Sequence, residues 1–111
     1  MTIGLAIALA AVFGVSGVAK LAAVPLMRQA AAHLGFSTLQ YRLLGALEVA
    51  AVVGVGIGVV VPWIGIAAAS GLVLLMLGAA ASHAAHRDGA VRVAIPLVPA
   101  VLAVLYALTL V

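Results

Sequence analysis

The pattern of polar and apolar positions divides the chain into four long apolar segments separated by short polar stretches. The segments lie at about residues 2–24, 43–61, 63–85 and 93–111. Each is long enough for a membrane-spanning helix, which needs about 20 mainly apolar residues. Pro25 and Pro62 follow the first two segments, and proline is a natural helix stop. We therefore predict an all-α integral membrane four-helix bundle, with residues 1–111 forming a single membrane domain.

The stretch after the first segment mixes polar and apolar residues and predicts a short interfacial helix at about residues 27–34, ending before Gly35. The second polar stretch, "HRDGAVR", indicates a solvated turn before the last segment. In that turn we interpret Arg87, Asp88 and Arg92 as solvent-exposed residues that anchor the topology.

Composition strengthens the membrane assignment. Of the 111 residues, 68% are hydrophobic and 6% are charged, with a mean hydropathy of +1.47. Soluble domains contain about 45–50% apolar residues, so the surplus is predicted to face a lipid bilayer. The five Lys and Arg residues do not cluster, and no nucleic-acid partner is expected. The absence of cysteine excludes disulfide and thiol redox chemistry.

The basic residues predict an orientation. All of them lie at or near the connections between segments one and two and between segments three and four: Lys20, Arg28, Arg42, Arg87 and Arg92. By the positive-inside rule, these connections face the cytoplasm and both termini face outward. We therefore expect a multi-pass protein of the cell membrane.

Three ionisable residues from three segments are predicted to share one depth. At about 1.5 Å per helical residue, Glu48 lies roughly 8 Å and Lys20 roughly 6 Å inside the cytoplasmic edge. His83 lies at a comparable level in the third segment. An unpaired charge in hydrocarbon costs at least about 2.5–3.5 kcal/mol, and intramembrane ionisable groups are commonly functional. Pairing Glu48 with Lys20 or with Arg42 removes most of that cost.

These residues predict a polar pocket in which Lys20, Glu48 and His83 are the candidate catalytic groups. Helical spacing places further residues on the same faces or beside them, and small residues there allow close helix approach. The candidate substrate-binding residues are Ser16, Gly17, Tyr41, Arg42, Gly45, Met76 and Ala79. The alternative is that Lys20 and Glu48 form only a structural ion pair that fixes helix register.

Two further patterns have competing interpretations. His83 and His86 have a spacing that suits a metal ion, but few ligands could complete the site, and we predict no metal. Gly54 and Gly58 form a close-packing face, which serves either packing within the bundle or self-association.

The motifs "GVSGVAKL", "LGFS", "YRLLGALEV" and "GLVLLMLGAAASH" resemble, in this order, the DoxX-like family of small membrane proteins. The family pattern corresponds here to Gly17 with Lys20–Leu21, to Gly45 with Glu48, and to Gly78–Ala79 with His83. The resemblance implies a four-helix membrane bundle. It also implies a link to redox or detoxification systems, since the family name comes from a subunit linked to a quinol oxidase or a thiosulfate:quinone oxidoreductase.

We predict a cytoplasm-side pocket for a small lipophilic molecule, such as a quinone or an epoxide or sterol-like metabolite. If the protein is catalytic, Glu48 is the general acid/base, Lys20 orients it and tunes its proton affinity, and His83 is the second proton-transfer group. A quinone is the one cofactor left open. One alternative is a non-catalytic membrane subunit of a redox complex; another is a small proton-coupled multidrug exporter. A homo-oligomer or a membrane-protein partner is expected in addition to the lipid bilayer.

Overall fold

The computed structural model describes all 111 residues and contains helices without strands. The helices are α1 Thr2–Leu21, α2 Pro25–His33, α3 Thr38–Gly58, α4 Pro62–Ala85, α5 Ala90–Ala94 and α6 Leu97–Thr109. Four segments are long and apolar enough to cross a membrane, namely α1, α3, α4 and the stretch Ala90–Thr109 that contains α5 and α6. The predicted all-α membrane bundle is confirmed.

The long helices form a ring of neighbours. α1 packs against α3, α3 against α4, and α4 against α6, while α6 also contacts α1. α1 therefore lies diagonally opposite α4, and α3 lies diagonally opposite α6. Buried side chains from all four fill the centre: Leu9, Phe13, Val55, Leu72, Met76 and Tyr106.

Large apolar side chains also cover the outside of the bundle. Ile7, Leu43, Leu74 and Val101 are each more than half exposed. An extensive apolar exterior marks a surface that meets a membrane or another protein. Together with the length of the helices, it indicates that the bundle is surrounded by lipid.

The α1–α2, α2–α3 and α4–α5 connections lie at one end of the bundle, here called the charged end. The basic side chains of the protein all belong to this end: Lys20, Arg28, Arg42, Arg87 and Arg92. The short helix α2 packs there against α3 and α1. The distribution of charge along the sequence thus becomes an asymmetry between the two ends of the structure.

Helix α3 begins earlier than the apolar pattern suggested. Ser37 Oγ accepts a hydrogen bond of 3.0 Å from the backbone N–H of Gln40, and Gln40 Oε1 accepts one of 2.9 Å from the backbone N–H of Ser37. This capping box satisfies two N–H groups that the start of a helix leaves unpaired. The helix can therefore start in the polar stretch, so that Tyr41 belongs to its second turn.

The last apolar segment is divided, whereas the sequence predicted one helix over residues 93–111. α5 ends at Ala94, and α6 starts at Leu97. Pro96 and Pro99 cause the division because proline has no N–H to donate to the preceding turn and clashes with it. Pro96 is buried at the break, where it forms part of the wall of a cavity described below.

The end opposite to the charged end is packed through glycines, and we call it the glycine-packed end (Gly54, Gly58, Gly65 and Tyr106). A Cβ added to Gly54 would lie 2.8 Å from Ala68 Cβ, and one added to Gly58 would overlap the backbone of Gly65. These contacts join α3 to α4. Of the two interpretations of Gly54 and Gly58, the structure favours packing within the bundle.

Candidate ligand-binding site

A buried ion pair joins α1 to α3 at the charged end. Lys20 Nζ donates a hydrogen bond of 2.8 Å to Glu48 Oε1, and Ser16 Oγ donates one of 3.2 Å to Glu48 Oε2. The side chain of Glu48 is 2% exposed and that of Lys20 is 12% exposed. Each carboxylate oxygen therefore has a protein donor, and the charge of Glu48 is compensated within the bundle.

Two glycines allow α1 and α3 to come close enough for this pair. A Cβ on Gly17 would lie 3.0 Å from the carbonyl oxygen of Gly45, and a Cβ on Gly45 would lie 2.7 Å from that of Gly17. Close approach through small residues is how transmembrane helices commonly pack. The sequence suggested both glycines as substrate-binding residues; the structure places them at a helix contact, outside the walls of the cavities.

Tyr41 extends the polar group towards the start of α3. Lys20 Nζ lies 5.1 Å from the centroid of the Tyr41 ring, a distance that allows a cation–π interaction. The ring of Phe36 lies 6.1 Å from that of Tyr41, measured between centroids. The ammonium group therefore lies between a carboxylate and an aromatic face.

Two cavities meet at this group of residues. They have volumes of about 220 and 500 Å³. The smaller cavity lies between α3 and α4. The larger, here called the central cavity, lies among α1, α3, α4 and the α5–α6 break and is open to the outside of the bundle. Both are lined by Lys20, Tyr41, Glu48, Met76 and Ala79. Most of the other lining residues are apolar, so a charged pair lies on the shared wall of a largely apolar space.

The structure brings most of the predicted site residues together. The central cavity is lined by both pair members, by His83, and by four of the predicted substrate-binding residues: Ser16, Tyr41, Met76 and Ala79. Arg42 does not join them. Its side chain is exposed, it makes no ion pair, and it lines none of the cavities described here.

His83 contacts a different carboxylate from the one that the sequence suggested. Its Nδ1 forms a hydrogen bond of 2.6 Å with Asp88 Oδ2, and His33 Nε2 forms one of 2.6 Å with Asp88 Oδ1. Asp88 lies in the turn that the sequence predicted, but its carboxylate is shielded from solvent by these contacts, since its side chain is only 5% exposed. The hydrogen bonds from His83 and His33 lower the pKa of Asp88 below its ordinary value.

Asp88 is the residue that sequence reasoning missed. The one available signal was scarcity, since the chain contains only two acidic residues. The other two histidines are close by: His33 belongs to α2, and the ring of His86 lies 5.9 Å from that of His33. His86 itself bonds through Nδ1 to the carbonyl oxygen of Ser82 at 2.8 Å. The structure contains no group of three or more His, Asp or Glu side chains placed to hold a metal ion.

The fold and this site define an integral membrane protein of the helical type, with a polar group enclosed at one end of the bundle. The sequence model of the DoxX-like family matches residues 4–106, nearly the whole chain. The chain belongs to the DoxX-like family, which confirms the resemblance seen in its motifs. No curated protein and no solved structure matches it.

Proposed function

We propose that the protein binds a small lipophilic molecule with a polar head in the two cavities around Lys20 and Glu48. The observation that carries the proposal is the position of this ion pair, which lies on the wall that both cavities share. Small-molecule sites are largely apolar spaces with a few convergent polar groups, and they measure about 300–1,000 Å³. The central cavity, at about 500 Å³, has this size and composition.

The cavity walls favour an amphiphilic ligand. Phe13 and Met76 offer apolar contact, while Tyr41 and Lys20 offer hydrogen-bond donors close to the carboxylate of Glu48. A quinone, or an epoxide or sterol-like metabolite, combines an apolar body with an oxygen that such donors bind. The cavities lie between helices, so a ligand of this kind enters from the bilayer.

If the protein acts on its ligand, the ion pair supplies acid/base chemistry, either alone or as the proton transfer that accompanies a redox change of the ligand. Glu48 is then the proton acceptor and Lys20 holds it in place, since the two groups are already 2.8 Å apart. Proton transfer by a positioned side chain contributes about 10²- to 10⁴-fold to a rate. The charge distribution favours a multi-pass protein of the cell membrane with the charged end on the cytoplasmic side.

A second candidate function is that of a non-catalytic membrane subunit. It is favoured by a shallow apolar groove on the outer face of α1, about 560 Å³ in volume, that is lined in part by small residues such as Ala10, Ala11 and Gly14. Small residues on an outer face allow another transmembrane helix to approach closely. The partner is either a second copy of this chain or another membrane protein.

Native mass spectrometry of the protein released from lipid nanodiscs tests both candidates, combined with identification of the molecules that co-purify. A bound lipophile supports the first candidate, and a stoichiometric protein partner without any bound lipophile supports the second. The first candidate is then tested by titrating a short-chain quinone into nanodiscs. We expect Glu48→Gln to weaken binding at least about tenfold, which is about 1.4 kcal/mol.

Arg28→Gln is the matched control, because it changes the charge of an exposed side chain at the same end of the bundle. It should leave the affinity for the quinone unchanged. Equal affinities for the wild type and Glu48→Gln would contradict the proposal.

A further inference from the structure

His83 lies on the wall of the central cavity with one ring nitrogen free. Its Nδ1 is bonded to Asp88, and its Nε2 has no partner within the protein. No side-chain nitrogen or oxygen is buried without a hydrogen-bond partner. Nε2 therefore reaches open space. His83 also lines a third cavity, of about 350 Å³, at the charged end.

Asp88 is placed so that it can determine which nitrogen of the His83 ring carries the proton. His33 bonds to one of its oxygens and His83 to the other, both at 2.6 Å. An ionised carboxylate only accepts hydrogen bonds, so each imidazole must present an N–H to it. The partner of one imidazole nitrogen determines which nitrogen carries the proton. In neutral His83 the proton is then on Nδ1, and Nε2 is an acceptor.

Besides the hydroxyl groups of Ser16 and Tyr41, the other side-chain acceptor on the cavity wall is the carboxylate of Glu48, which is less available. Its side chain is 2% exposed and receives donors from Lys20 and Ser16. The side chain of His83 is 23% exposed. His83 is part of the cavity wall, so a ligand that brings a hydroxyl group there finds an accessible acceptor at His83 Nε2.

We propose that Asp88 is a positioning residue that keeps the proton of His83 on Nδ1, so that Nε2 accepts a hydrogen bond from the hydroxyl group of a lipophilic ligand. This inference rests on the proposed function, and it narrows the proposed ligands to those that carry a hydroxyl on an apolar body, such as a sterol-like metabolite or the reduced form of a quinone. The ionisable groups around His83 are of two kinds. Asp88 bonds to its ring and His33 bonds to the same carboxylate, while the groups that share a cavity with it are Lys20, Tyr41, Glu48 and Arg92.

The first arm of the test measures the His83 ring directly. Protein labelled with ¹⁵N-histidine is placed in lipid nanodiscs at mildly alkaline pH, and nuclear magnetic resonance reports which nitrogen carries the proton. We expect the Nδ1–H form in the wild type and in Asp88→Glu, and a shift to the Nε2–H form in Asp88→Ala. Asp88→Ser is a second variant that retains a polar loop and should give the same shift.

Two histidine variants serve as controls for this arm. His86→Gln removes a ring that is bonded to Ser82 rather than to Asp88, and His33→Gln removes only the second bond of Asp88. Both should leave His83 in the Nδ1–H form. An Nε2–H or doubly protonated ring in the wild type, or an unchanged ring in folded Asp88→Ala and Asp88→Ser, overturns the role of Asp88.

The second arm uses para-pentylphenol and its methyl ether as matched probes. The phenol should bind about tenfold more tightly than the ether, the effect of about one hydrogen bond, and should shift the Nε2 resonance of His83. Asp88→Ala should abolish this preference. Equal binding of the two probes to the wild type overturns the proposed acceptor. If neither probe binds, it is the proposed function that fails, while the first arm still decides whether Asp88 sets the tautomer.

Discussion

The two ends of the bundle use the same helices in opposite ways. At the glycine-packed end, α3 and α4 meet through backbone contact, and the Tyr106 hydroxyl donates a hydrogen bond of 2.5 Å to the carbonyl oxygen of Val55. At the charged end, α3 and α4 enclose part of two cavities that reach Lys20 and Glu48. None of the cavities described above reaches Gly58, Gly65 or Tyr106.

The polar groups at the two ends also differ in whether they adjoin a cavity. The Tyr106 hydroxyl is a neutral donor, fully buried and used up by one carbonyl. The Lys20–Glu48 pair is also satisfied, but it lies on the wall of a space that can admit a further molecule. Substitutions at the glycine-packed end should therefore affect stability alone, whereas those at the charged end should affect both stability and binding.

The largest effect is expected from removing one member of the ion pair. Lys20→Met leaves the carboxylate of Glu48 buried without its cation, and breaking a buried pair costs about 3–5 kcal/mol. We expect a large fall in the thermal unfolding temperature, measured by circular dichroism in detergent. The double change Lys20→Met with Glu48→Gln should recover much of this stability and still fail to bind the short-chain quinone.

Arg28→Met controls for the loss of one positive charge at the same end, and it should change the unfolding temperature little because Arg28 is exposed and makes no ion pair. If the effects of the two single changes at Lys20 and Glu48 simply add in the double variant, the residues are not coupled. The ion pair would then no longer distinguish the charged end from the glycine-packed end.

A smaller effect is expected from filling the contact at the other end. Gly58→Ala places a methyl group against the Gly65 backbone and the Tyr106 hydroxyl, and overpacking of this kind costs about 1–3 kcal/mol. Gly56→Ala is the matched control, because a Cβ there meets nothing within 4 Å. Thermal unfolding should separate the two variants, while quinone affinity stays at the wild-type level in both. Reduced affinity in folded Gly58→Ala would show that the ends are not independent.

The smallest effect concerns acid stability. Hydrogen bonds from His83 and His33 hold the pKa of Asp88 below its ordinary value of 3.8 in the folded protein. A carboxyl group whose pKa is lowered on folding stabilises the protein fully at a pH above its pKa in the unfolded chain. This contribution is lost as the pH falls through the lower pKa of the folded protein. The unfolding temperature of the wild type should therefore fall more steeply in this acid range than that of Asp88→Asn. Parallel curves for the two proteins would argue against the contribution of Asp88.

The sequence was sufficient for those parts of the fold and site that depend on local periodicity and on the cost of charge in lipid. Lys20 and Glu48 could be paired from depth and helix face, because hydrocarbon leaves a buried charge few alternatives. Asp88 could not be placed in this way. It follows the end of α4, and its contact with His33 joins residues 55 positions apart, which no local pattern encodes.

Helix boundaries show the same limit. The residue types at Ser37 and Gln40 are those of a capping box, but the apolar pattern predicted a later start for α3. The prolines in the last segment were visible as well. Whether they merely start a helix or divide one depends on what packs around Pro96, and that is a property of the assembled bundle.

The ion pair between α1 and α3 also bears on how the chain is assembled in the membrane during synthesis. Lys20 lies one residue before the end of α1 and can extend its long side chain to the interface while it is alone. Glu48 lies in the interior of α3, where its shorter side chain does not reach the interface. Without a partner it would therefore add to the free energy of inserting that helix into the bilayer. Since α1 is synthesised first, its lysine is already in place as the counter-charge when α3 arrives. The two helices are therefore expected to enter the bilayer as an associated pair.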